Sequence, residues 1–169
     1  PGDPRASSGG ETRFYRCAHG PDTEYTAMAR RAWTLWHELE EESGQELLVE
    51  CGMAWFAHRE DGWEAASEQT LLAEGIPVEH LDISSAAQLY PSFGGDDLAF
   101  VLYEPQGGVL RAERSMKTLA AQAVSHGARL VRGRARPDGE TVILEDSTRL
   151  QGDVVIWACG PLLPKLFPD

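Results

Sequence analysis

Apolar positions recur in steps of three and four from Tyr25 through Met28, Ala29, Ala32, Trp33 and Trp36 to Leu39, and that period predicts an amphipathic helix. Asp22, directly after Pro21, is placed to cap its start, and Gly44 to close it. The period then changes. Residues 47–58 (LLVECGMAWFAH) are apolar and β-prone, and Gly52 interrupts them as a bulge or a close backbone approach does. Asp61-Gly62 reads as a turn, residues 63–74 as a helix that stops at Gly75, 78–81 as a short strand, and 84–89 as a short helix with a serine cap.

Further along, residues 97–104 (DLAFVLYE) predict a strand, 105–108 a turn, and Val109-Leu110 a continued extended stretch. A second helix is predicted over 112–126, with Met116, Leu119, Ala120, Ala123 and Val124 on one face and Gly127 as its stop. Residues 129–131 and 141–145 predict strands, the latter after a turn at Pro137-Asp138-Gly139. Residues 154–158 (VVIWA) form an unbroken apolar run, the pattern of a strand buried on both faces. Helices and strands are mixed without a repeat, so the class is α/β to α+β.

Charge narrows the partners. With 27 acidic and 15 basic residues in 169, the net charge of −12 would repel nucleic acid and anionic membranes alike. Cys17, Cys51 and Cys159 are widely spaced and odd in number, which suits reduced thiols better than a disulfide framework, and the five histidines offer no metal-ligand spacing beside them. No apolar stretch approaches the roughly 20 residues that span a bilayer, and the first ten residues lack the features of a secretory signal. A cytoplasmic location is the default expectation. The chain opens on Pro1 instead of Met, so a preceding segment is expected.

Four stretches carry candidate chemistry. Residues 7–16 (SSGGETRFYR) bring a glycine-rich loop to Arg13 and Arg16, which offer amides and guanidinium groups to an anionic or electron-rich ligand; on sequence chemistry alone a flexible loop whose arginines pair with the chain's own acids is the better reading. Residues 103–110 (YEPQGGVL) are a strand, a glycine turn and a return. Residues 127–131 step from a helix into a strand. Residues 152–160 (GDVVIWACG) are an apolar run ending in small residues, which admits either a cofactor or simply another backbone.

In this order and spacing the four resemble the amine-oxidising flavoproteins of the D-amino-acid oxidase superfamily, nearest to monomeric sarcosine oxidase, N-methyltryptophan oxidase and pipecolate oxidase. The resemblance covers essentially the whole chain. It implies FAD as cofactor, a small amino acid or amine as substrate, and oxidation of a C–N bond by hydride transfer. It implies part of a Rossmann-like FAD-binding domain over 1–48 and 107–169, around part of a mixed-sheet substrate domain over 49–106. Residue by residue, Arg13 would lie against the flavin ring and Arg16 would pair with the substrate carboxylate. Ser7, Ser8 and Gly10 would border the cofactor, Arg136 would meet the adenine, and Ala158, Cys159 and Gly160 would end a strand near the flavin. Cys17 stands where the sarcosine oxidases have histidine. The phosphate-binding glycine turn of that family would precede Pro1, so the chain by itself is expected to hold flavin weakly and to be inactive, and an exposed sheet edge to favour self-association. Two other readings stay open: a dehydrogenase that passes electrons to a carrier, and a non-catalytic binding module of the same descent.

Overall fold

The helix predicted from the apolar period spans Thr23–Ser43 (α1). Asp22 accepts from the Tyr25 N–H at 3.3 Å at its start, and Gly44, at φ 65°, turns its own N–H back onto the Glu40 carbonyl at its end. Glu40 also reaches out of the helix: its Oε1 accepts from the Leu47 and Leu48 N–H groups at 2.6 and 2.8 Å, fixing where the chain turns into its next strand. The computed structural model describes residues 3, 6, 9–90 and 94–168.

Among the described residues, three antiparallel sheets follow. The first takes β1 (Thr12–Tyr15), β2 (Leu48–Val49) and β6 (Gly108–Arg111) in the order β1-β6-β2, so its strands come from distant parts of the chain. The second takes β3 (Met53–Ala57), β4 (Glu79–Leu81) and β5 (Phe100–Glu104) in the order β3-β5-β4. Between β3 and β4 the chain forms α2 (Trp63–Ala73), and between β4 and β5 the short α3 (Ile83–Leu89). After β6 come α4 (Ala112–Ser125) and a third sheet, β7 (Ala135–Asp138), β8 (Thr141–Leu144) and β9 (Arg149–Leu150), and the last element is a short α5 (Leu163–Leu166).

The core joins the first two sheets. Tyr15, Cys17, Ala18, Leu48, Ala57, Leu71, Ile76, Phe100 and Leu102 form one buried cluster, with Trp33, Trp36, Trp55 and Leu110 packed at its margin. Burying a large aliphatic or aromatic side chain here contributes about 1.5–3 kcal/mol, and most of these residues sit where β1, β3, β5, α1 and α2 converge. The mixed helical and strand class expected from the pattern holds. Among the described residues, no helix is long and apolar enough to cross a membrane.

Several local expectations are corrected. Residues 154–158 form no strand: Val154 and Ile156 are 78% and 84% exposed. An apolar run becomes a buried strand only when neighbouring strands and layers receive it, and no described strand pairs with this one. Residues 129–131 likewise run exposed and unpaired. The turn expected at 137–139 moves one step on, because Pro137 and Asp138 pair with Val142 and Thr141 in the β7–β8 hairpin. Asp82, not a serine, caps α3, accepting from the Ser85 N–H at 2.7 Å.

The largest difference concerns α4. Its buried residues are Ala112, Ser115 and Thr118, whereas Leu119 and Val124 of the expected apolar face are exposed. The helix leaves β6 without an intervening loop, and the Ala112 N–H donates to the Glu11 carbonyl at 2.9 Å. That junction sets the helix rotation before side-chain hydrophobicity can choose it.

Candidate functional site

Residues 16–20 follow β1 and are held by main-chain contacts from three other elements. Thr26 of α1 donates its hydroxyl to the Cys17 carbonyl at 3.0 Å. Ser67 and Thr70 of α2 take the two polar groups of Gly20: its N–H donates to Ser67 Oγ at 2.8 Å, and its carbonyl accepts from Thr70 Oγ1 at 3.0 Å. Glu104, at the end of β5, accepts from the Cys17 N–H at 2.8 Å and the Ala18 N–H at 3.2 Å. Thr26, Ser67, Thr70 and Glu104 are all buried, so these bonds form away from water and the segment has one path.

That path presents Arg16 to an aromatic bed. Its guanidinium carbon lies over the Trp55 ring at 4.9 Å from the centroid and near Trp63 at 5.8 Å, and the two indoles stand 5.0 Å apart. A planar guanidinium on indole faces is attracted to them and still has N–H donors for a ligand. The chain carries 27 acids, yet among the described residues no carboxylate forms an ion pair with Arg16. The reading in which the chain's own acids neutralise Arg16 therefore finds no support. His19 lies close by, ring to ring with Tyr25 at 5.6 Å. Burial first, and then the Arg16 charge, hold its imidazole below the ordinary histidine value, so it is neutral at pH 7.

Beneath this segment Tyr15 and Cys17 form a buried pair. The Tyr15 hydroxyl donates to the Ala29 carbonyl at 2.9 Å and meets Cys17 Sγ at 3.1 Å, which leaves the thiol as donor to the phenol oxygen. Burial pushes both groups up from their ordinary values, and for Tyr15 the Cys17 contact adds to the rise.

The remaining sequence-predicted residues are spread out. Arg13 is exposed on β1, where its guanidinium folds back onto the Thr12 and Gly9 carbonyls beside Gly10. Strand alternation sends Arg13 to the face of Tyr15, opposite Phe14. Arg136 is exposed on β7, Ala158 and Cys159 lie in the unpaired segment that follows β9, and Gly160 opens a 3-10 turn (Gly160–Leu162) before α5; among the described residues none of the four bonds to Arg16. Ser7 and Ser8 lie outside the described residues. Sequence reasoning missed Trp55, Trp63, His19 and Glu104. One signal was present: Glu104 closes an apolar strand whose first three residues are buried, and a buried acid needs donors. An open groove of about 950 Å³ lies elsewhere, between α4 and the end of α1, but its Arg111 and Lys117 are already paired with Glu46 and Glu113.

Comparison with known proteins decides the family. The description DAO: FAD dependent oxidoreductase matches over residues 1–169. The chain belongs to this family. An N-methyl-L-tryptophan oxidase of Yersinia pestis (strain Pestoides F) is 27% identical over 165 residues, covering 94% of this chain and 44% of that protein. The fold is similar to iminodiacetate oxidase from Chelativorans sp. BNC1, at TM-score 0.74 and 22% identity over 97% of this chain and 48% of that one. It is also similar to NikD, described as an unusual amino acid oxidase essential for nikkomycin biosynthesis, at TM-score 0.72 and 19% identity over 95% and 43%. This member of the FAD dependent oxidoreductase family thus spans under half the length of the relatives it matches.

FAD is the cofactor of the family. Arg13 is exposed beside Gly10, with its guanidinium turned onto the Thr12 and Gly9 carbonyls. For the pyrophosphate the starts of the described helices α1 to α4 are poor: Asp22 and Asp82 are anionic caps, Glu64 stands in the first turn behind Gly62, and α4 opens at Arg111, already paired with Glu46, with Glu113 in its first turn. Among the described residues no glycine-rich turn opens onto a free helix N-terminus of the kind that holds phosphate.

Proposed function

We propose that this chain carries the substrate-carboxylate anchor, and a ring-side contact for the flavin, of an enzyme that oxidises the C–N bond of an amino acid or secondary amine. The observation that carries the reading is Arg16: a guanidinium held on two indoles with no acidic partner among the described residues. A carboxylate would accept two parallel N–H donors from it, which fixes orientation as well as charge. The chain's own residues bind and orient, and that positioning lowers the barrier without a protein group entering the chemistry. When bound, FAD supplies a two-electron acceptor for the hydride that leaves the substrate carbon, and the resulting imine is hydrolysed by water. Arg13 and Gly10 would stand at the ring, with His19 a neutral neighbour that adds no competing charge at the anchor.

The same proposal assigns 1–48 and 107–169 to a flavin-binding part and 49–106 to a substrate-binding part. Support comes from the first sheet, which combines β1, β2 and β6, and from the second, which combines β3, β4 and β5. The active site would form where the first part's Arg16 meets the second part's Trp55 and Trp63. Self-association would use the outer strands β1 and β2, and sedimentation over a concentration range checks it.

Steady-state oxidation by the full-length, flavin-loaded protein that contains this chain tests the anchor, comparing an N-methyl amino acid with the N-methyl amine that lacks the carboxylate. Arg16→Lys keeps the charge but removes the planar fork, so about 1.5–3 kcal/mol of charge-assisted hydrogen bonding is lost. KM for the acid should rise about 10- to 150-fold, with the amine unaffected. Equal KM values for the acid in the two proteins would remove Arg16 from this role.

A further inference from the structure

Glu104 is 2% exposed and no cation pairs with it among the described residues; its carboxylate is satisfied by N–H donors alone. Two of them, the Cys17 and Ala18 amides, at 2.8 and 3.2 Å, belong to the backbone that immediately follows Arg16. The third is the indole N–H of Trp55, at 2.7 Å, and that indole is the ring on which the Arg16 guanidinium rests at 4.9 Å. One buried carboxylate therefore grips both the root of the arginine and the surface beneath its head.

Resting on the reading of Arg16 as the carboxylate anchor, we infer that Glu104 is a positioning residue for it. Three N–H donors converge on Glu104, and only an acceptor-only group satisfies them all; the isosteric amide of glutamine would turn an NH₂ toward at least one donor. The backbone at 17–18 or the Trp55 ring would then shift, and the guanidinium with it. Glu104 lies on β5 and Trp55 on β3, which are neighbours in the second sheet, whereas Arg16 follows β1 of the first. Glu104 thus ties the anchor to the sheet that is proposed to bind substrate.

A double-mutant cycle on the full-length, flavin-loaded protein tests this, using Glu104→Gln, Arg16→Lys and their combination. The probes are N-methylphenylalanine and N-methylphenethylamine, which differ by the carboxylate. Alone, Glu104→Gln should raise KM for the acid on the order of tenfold and leave KM for the amine within about twofold, since the amine does not use the anchor. In the Arg16→Lys background the same substitution should add nothing, because its effect passes through the arginine. A purely structural role would affect both probes and both backgrounds alike. If Arg16→Lys leaves KM for the acid unchanged, the anchor reading has failed and this inference goes with it. If Arg16→Lys raises KM but Glu104→Gln does not, or does so equally in both backgrounds, the anchor stands and the positioning role is wrong. Should Glu104→Gln not fold, Glu104→Asp, which keeps an acceptor-only carboxylate but draws it back from its three donors, enters the same cycle: loss of the acid preference in the Arg16 background alone supports the positioning role, and equal effects in both backgrounds overturn it.

Discussion

Replacing Gly20 by alanine should destabilise the protein far more than the same replacement at Gly44, although the two glycines have nearly the same backbone: φ is 62° at one and 65° at the other. A left-handed conformation costs an L-residue about 1–2 kcal/mol, and alanine recovers about 0.4–1 kcal/mol of that by restricting the unfolded chain. Gly44 has open space around it, with nothing within 4 Å of where an alanine methyl would stand, so its substitution should cost about 0.5–1 kcal/mol. At Gly20 the new methyl would sit 2.6 Å from Trp63 Cδ1 and Nε1, closer than carbon atoms pack. The backbone cannot slide away, because the Gly20 N–H and carbonyl are both tied to α2 through Ser67 and Thr70. The indole must move instead, and overpacking of this kind adds about 1–3 kcal/mol. Urea unfolding followed by far-UV circular dichroism measures both variants, and tryptophan fluorescence of the folded Gly20→Ala protein reports the displaced indole. Midpoints that place the two variants within about 0.5 kcal/mol of each other would refute the argument, since the backbone term they share would then be the whole effect.

Other outcomes follow from burial and titration. Leu71→Ala, at a fully buried position in the joint core, should cost about 2–5 kcal/mol in the same unfolding assay. Stability should also fall at alkaline pH: burial raises the Cys17 thiol above its ordinary value of 9.0, so above that pH the unfolded chain gives up a proton that the folded chain keeps. Melting temperature between about pH 8 and 10.5 should therefore decline more steeply for the native protein than for Cys17→Ala, and parallel slopes would contradict the assignment.

Local signals carried most of the fold. The Asp22 cap, the Gly44 and Gly75 stops and the break at Gly52 each act through a few neighbouring residues, and the observed elements end within a residue or two of where those signals put them. Long-range partners were invisible. Residues 154–158 have the composition of a buried strand, but whether a strand is buried depends on what lies beside it, and composition is silent on that. The rotation of α4 was equally hidden, because it is set by the junction with β6 and the contact to Glu11. At the candidate site the two arginines stood out by type and spacing. Their surroundings did not: Trp55 is 39 positions from Arg16 in the chain and Glu104 is 87 from Cys17, and only folding brings either near.

The fastening of residues 16–20 has an evolutionary corollary. Thr26, Ser67, Thr70 and Glu104 grip amides and carbonyls, which every residue other than proline supplies in the same form. Cys17 and Ala18 are buried and Gly20 is wedged against an indole, so little variation is tolerated at those three. Positions 16 and 19 are different: their side chains can be exchanged while the loop keeps its course. A library randomised at just these two sites should yield folded variants with altered ligand preference, because the scaffold recognises its own peptide groups and ignores what is mounted on them.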